Sequence, residues 1–208
     1  MRKRVVKRVS WPESELLQLD DGTCEDPGID IRVLANRSEA FRWAGDVVVK
    51  LAFSEGPDTL NANEHLRQIG LGSCKYPDLP FAVGNLYRHQ IELLLKVIIV
   101  LGCRLIGRES NFPQTHDLGE LWDEAKPAIE GNGVQAKALT VDKAGTRIAE
   151  LAEIEHGTTE FRYPADSVGW DSPLSGMEDL RKLVAPLGEY LSECALNLWR
   201  QRRDQRTR

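Results

Sequence analysis

The sequence predicts an all-α protein: an antiparallel bundle of four to five helices over residues 36–208, behind a small N-terminal arm of short extended pieces over residues 1–35. Three observations predict it. The stretch Phe81 to Gly107 becomes almost wholly apolar from Ile91 to Leu105, apart from Glu92, Lys96 and Arg104, as a helix buried on most sides does. Four other stretches repeat apolar residues at helical spacing. The connections between them are short and rich in Gly and Pro, which turns successive helices back on one another. With 41% hydrophobic and 28% charged residues among 208, the chain has material for one well-cored globular domain and an appendage.

In chain order, Val5–Val9 (VVKRV) and Ile29–Leu34 (IDIRVL) suit short strands, and Asp21-Gly22 suits a tight turn. Ser10 with Glu13 offers a competing reading, a capping box opening a helix through Leu19. Ser38 to Ser54 is a helix by the spacing of Phe41, Ala44, Val48, Leu51 and Ala52, and Gly56-Pro57 stops it. A loop containing Pro77 and Pro80 leads to the central helix, Phe81 to Gly107. Thr115 is a candidate N-cap for the next helix, with Asp117 and Glu120 as an alternative capping pair. That helix buries Leu118, Leu121, Trp122 and Ala125 and is expected to fray at Pro127 and Gly131. Another runs from Val134 to His156, closed by Gly157. The last spans about Met177 to Arg200, with Pro186 expected to kink or break it.

A formal net charge of -5 gives no global argument for nucleic-acid binding. The charge is uneven, however. Arg2, Lys3, Arg4, Lys7 and Arg8 crowd one end, and Arg200, Arg202, Arg203, Arg206 and Arg208 the other. Such runs can hold phosphates, although solvated tails explain them as well. No apolar run approaches the ~20 residues of a membrane span. Ser10, Pro12, Glu13 and Glu15 interrupt any secretory segment, so a cytoplasmic location and no membrane partner are expected. Cys24, Cys74, Cys103 and Cys194 are far apart, and the histidines lack ligand spacing, so neither metal nor cofactor is expected. Cys103 and Cys194 read as small core residues.

Candidate chemistry lies in Tyr87–Lys96 (YRHQIELLLK), Thr115–Leu118 (THDL), Glu153–His156 (EIEH) and Phe161–Asp166 (FRYPAD). On the central helix Arg88, His89, Glu92 and Lys96 fall within one arc of about 100°. Arg88 with Glu92 and Glu92 with Lys96 form an i, i+4 ladder. Read structurally, the ladder makes a semi-buried polar stripe tolerable. Read functionally, Arg88 and His89 face a groove and bind phosphate, the arginine through its planar fork and the histidine as proton carrier. His116, at a helix start, is better neutral than cationic.

These motifs in this order resemble the HEPN superfamily of bacterial helical-bundle proteins. Tyr87, Arg88, His89, Glu92, Leu93, Leu95 and Lys96 carry the long-helix signature. His116, Asp117 and Leu118 carry the next helix start, and Arg162, Tyr163 and Pro164 the late loop. The resemblance covers roughly Arg37 to Arg200. It implies a helical bundle that dimerises through its long helices, in a family tied to RNA cleavage, nucleotide binding, toxin–antitoxin pairs and phage defence. Nuclease members carry an Arg and a His at a shorter spacing than this chain does, since seven residues separate Arg108 from His116 and eight separate Arg147 from His156. The expectation is therefore a homodimeric bundle binding RNA, a nucleotide or a partner protein encoded nearby. Its polar pocket would comprise Arg88, His89, Glu92, Lys96, His116, Asp117, Arg162 and Tyr163, without evident catalysis. The alternatives are a metal-independent endoribonuclease using Arg88, His89 and His116, and a purely structural dimerisation module.

Overall fold

The structure, a computed structural model, describes residues 30–52, 79–108, 112–134, 136–157 and 173–207. Every regular element among them is a helix: α1 (Ile31–Ala52), α2 (Leu79–Leu105), α3 (Leu118–Gly131), α4 (Val141–Gly157) and α5 (Pro173–Arg206). No described helix is long and apolar enough to cross a membrane.

Ile31–Leu34, expected as the end of a strand, are instead the first turn of α1. Asp30 accepts a hydrogen bond from the Arg32 backbone N–H at 2.9 Å, the bond that opens a helix. The alternation of Ile29, Ile31 and Val33 imitated a strand. A strand would put Ile31 and Val33 on one face, whereas Ile31 is 7% exposed and Val33 41%. The helical series Ile31, Ala35, Ser38 and Val49 faces the core. The other features expected of the arm, Val5–Val9 and Ser10–Leu19, lie outside the described residues.

The axis of the fold is α2, buried without interruption from Leu94 to Gly102 and packed against α1, α3 and α5. It ends where Gly107 takes a φ of 69° and the Arg108 N–H bonds the Cys103 carbonyl at 3.0 Å. The left-handed glycine and this reach-back bond make a Schellman-type stop. The same device ends α3, with Gly133 at φ 58° and Val134 N–H on Ile129 O at 3.1 Å. The stop explains why α4 begins at Val141 rather than at Val134. The chain must first leave the turn, and Thr140 then caps the new helix, its carbonyl accepting from Ala144 N–H at 2.9 Å. Val134, Ala136, Ala138 and Leu139 still pack on the core, but outside a helix.

Neither Pro127, expected to fray α3, nor Pro186, expected to kink or break α5, ends its helix. Pro127 sits exposed inside α3, which continues to Gly131. Pro186 lies within α5, a single 34-residue helix about 50 Å long. A proline has no N–H for the carbonyl four residues back, here that of Lys182. Arg147 of α4 supplies donors instead, reaching Lys182 O at 3.2 Å and Leu183 O at 2.9 Å.

The helix directions depart from simple up-and-down alternation. α1 runs antiparallel to α2, since Phe41 stacks on His89 while the later Gly45 and Asp46 meet the earlier Tyr87. α3 runs parallel to α2: its start meets Arg88 and Glu92, and its Ala128 packs on Gly102. α5 also runs with α2. Gly188 lies against Gln90, and farther along Gln201 bonds the Asn132 carbonyl, at the end of α3. α4 runs against α5, because Arg147 meets Leu183 while Ile154 shares a cleft with Gly176 and Leu180. The parallel pair is possible because α3 is preceded by a strap, residues 112–117, that lies beside α2. Phe112 lies under Lys96 and His116 beside Glu92, so this strap carries the chain back along α2 before α3 begins.

Candidate functional site

The site grows from the spacing on α2. Arg88, Glu92 and Lys96 are one turn apart on one side of the helix, and packing from its neighbours encloses all three, their side chains being 5%, 6% and 4% exposed. A buried charge must be paired, and here the pairing is dense. Glu92 Oε2 accepts from Arg88 Nη1 at 2.9 Å, while Oε1 accepts from Lys96 Nζ at 3.0 Å and from His116 Nδ1 at 2.8 Å. Arg88 Nη2 donates to the His116 backbone carbonyl at 2.6 Å. The Lys96 ammonium also lies 5.0 Å from the Phe112 ring centroid, within cation–π range.

Glu92 is the hub. Burial pushes its pKa up, but the hydrogen bonds from Lys96 and His116 and the charges of Lys96 and Arg88 outweigh burial, and the carboxyl is held below its usual range. Because a carboxylate only accepts, His116 must donate through Nδ1, which directs Nε2 away from Glu92. The His116 side chain is 63% exposed. It is the stripe's one solvent-facing side chain, fixed in orientation from beneath.

Asp117, not Thr115, caps α3, accepting from the Glu120 N–H at 2.9 Å. Thr115 turns instead to the Glu120 carboxylate, donating at 2.6 Å, and accepts from the Asp117 N–H at 3.1 Å. This loop fixes His116 from its own side while Arg88 and Glu92 fix it from α2.

Of the residues that the sequence singled out, Arg88, Glu92, Lys96 and His116 come together with Asp117 adjacent. His89 stands apart. Its Nδ1 is 2.8 Å from the Asn85 carbonyl and its ring lies 5.2 Å from that of Phe41, so it packs towards α1. Arg162 and Tyr163 lie outside the described residues. Sequence reasoning missed Phe112, whose place against Lys96 depends on the strap. It also missed the outer ladder in which Tyr87 donates to Asp46 at 3.0 Å and Arg181 approaches the same carboxylate at 3.6 Å. Burial, then the charge and hydrogen bond of Asp46, push the Tyr87 phenol up. Elsewhere an open cleft of about 410 Å³ between α4 and α5 is lined by Glu150, Glu153, Asp179 and apolar side chains, which gives it the wrong charge for phosphate.

No protein-family model, curated protein or solved structure matches this chain.

Proposed function

We propose that the protein is a HEPN-like helical bundle that binds RNA or a nucleotide at the face presented by His116. In this reading it acts as a homodimer in a bacterial stress or phage-defence setting, alongside a partner protein encoded nearby, and has no catalysis of its own. The observation that carries the reading is an exposed imidazole held at Nδ1 by a buried carboxylate, with two buried cations behind it. Such a ring presents one defined hydrogen-bonding edge to a ligand at little entropic cost. Arg88 contributes by holding the His116 backbone and by offsetting Glu92. The test is retention of single-stranded RNA by the purified protein at rising salt, with His116→Ala beside the wild type. The variant should weaken retention by about tenfold, roughly the worth of one lost ordered contact. Equal retention by both would remove His116 from the function, and no retention at low salt would end the RNA reading.

One observation favours a second reading, the metal-independent endoribonuclease. A carboxylate holding one imidazole nitrogen leaves the other to move a proton, as in catalytic dyads. RNA left intact after long incubation with wild-type protein would eliminate it. The complete internal pairing of Arg88, Glu92 and Lys96 equally suits the purely structural role, which predicts that His116→Ala changes nothing.

A further inference from the structure

We infer that the end of the bundle where α2, α3 and α5 finish together is a surface for the phosphates of single-stranded RNA, separate from the His116 face. This rests on the RNA-binding reading above and locates the backbone contacts that the reading lacks.

The helix directions create the surface. Because α2, α3 and α5 run the same way, their last turns share one end, tied by the Gln201 amide on the Asn132 carbonyl at 3.1 Å and by Ala128 against Gly102. That end gathers Arg104 in the last turn of α2 and Arg108 just past it with Arg200, Arg202, Arg203 and Arg206 of α5, against Asp204, while Lys126 and Glu130 approach each other at 3.9 Å. The bland explanation is that arginines neutralise helix dipoles. Three helix ends amount to about -1.5 charges in total, whereas six arginines against one aspartate leave five in excess. Contacts inside the molecule occupy part of this set, Arg104, Arg200 and Arg206 among them, and Arg203 Nε lies 3.5 Å from the Asp204 carboxylate, which leaves its Nη donors for a phosphate. Arg108, just past the end of α2, and Arg203 of α5 are exposed. The Arg203 guanidinium also stands 5.2 Å from the ring of Trp199, a side chain only 6% exposed. Stacking on a fixed indole holds the planar fork in place, and a held fork loses less entropy on gripping a phosphate.

The His116 face is a distinct region. It lies at the opposite end of α3, about 20 Å away along that helix, and the exposed Glu120, Asp123 and Glu124 intervene and repel a polyanion. Arginine rather than lysine throughout the cluster suits phosphate forks. Phosphate contacts carry no base information, so binding should be non-specific.

The experiment measures anisotropy of a labelled single-stranded oligouridylate against salt for the wild type, Arg108→Gln/Arg203→Gln and Lys50→Gln/Lys182→Gln. The last pair loses the same charge away from this end. Loss of two phosphate contacts should lower the slope of log affinity against log salt by about 1.4, and the lysine variant should keep the wild-type slope. Arg108→Lys/Arg203→Lys should restore most of it, which excludes misfolding as the cause. An unchanged slope in the glutamine arginine variant, or an equal fall in the lysine variant, overturns the inference while leaving the His116 reading standing. Wild-type protein that ignores RNA at low salt overturns both.

Discussion

Arg147 donates to the carbonyl oxygen of Lys182 at 3.2 Å, the carbonyl that Pro186 leaves without its helical partner. One side chain of α4 thus replaces a backbone donor in α5 and joins the two helices in doing so. Arg147→Ala should cost about 1 kcal/mol in denaturant unfolding, the usual worth of such a bond at a partly exposed site. With Pro186→Ala already in place, the backbone N–H returns and the same change should cost measurably less. The double-mutant cycle should show coupling of about 0.5 kcal/mol or more; strictly additive costs would refute the substitution of one donor for the other.

Glu92 neutralises two buried cations, so removing it alone is the most damaging single change in the stripe. Glu92→Leu should destabilise by about 3–5 kcal/mol, leaving Arg88 and Lys96 buried without compensation. The triple change Arg88→Met/Glu92→Leu/Lys96→Met should restore stability to near wild type, since an apolar filling of similar volume replaces the whole network. Equilibrium unfolding in urea decides. If the triple variant is as weak as the single one, the stripe is held by something other than charge balance.

The acid limb of stability should carry the signature of Glu92. Its folded pKa lies below the unfolded one, so the unfolded chain binds the extra proton first. The contribution of Glu92 is complete above the usual carboxylate range and is lost as pH falls through its depressed folded value. Between about pH 5 and about pH 3 the wild type should lose more stability than Glu92→Gln, which cannot titrate. Parallel pH curves for the two proteins would contradict this.

Gly102 sets the approach of α2 to α3. A β-carbon there would meet Ala128 Cβ inside contact distance, so Gly102→Ala should cost about 1–3 kcal/mol by overpacking. Gly131 has open space around its β position, and Gly131→Ala should be neutral or slightly stabilising. Thermal melts of the two variants would separate steric cost from helix propensity.

Legibility in the sequence followed the range of the forces involved. The apolar run of α2 and the stripe of α5 are local patterns, and both helices stand where the periodicity puts them. The Arg88–Glu92–Lys96 ladder was legible for the same reason. The start of α1 was misread because Ile29, Ile31 and Val33 satisfy a strand period over so few residues, while Asp30 as a cap was the signal that could have decided. Val134–Leu139 was misread because apolar side chains can be half-buried without a helix beneath them. Pro186 could not be judged from α5 alone, since Arg147 comes from another helix. Nothing local shows that α3 runs parallel to α2, and with that went the position of Phe112 and the shared end of three helices.

The strap between α2 and α3 acts as a ruler. It is pinned at Phe112 against Lys96 and at His116 against Glu92, and the helix it launches must bring Ala128 opposite Gly102. Surface loops usually absorb an added or missing residue without consequence. Here one residue more or fewer between Phe112 and His116 would either unhook the imidazole from its carboxylate or rotate α3 by about 100° and drive a larger side chain against Gly102. Length, more than composition, is what this stretch of chain has to conserve.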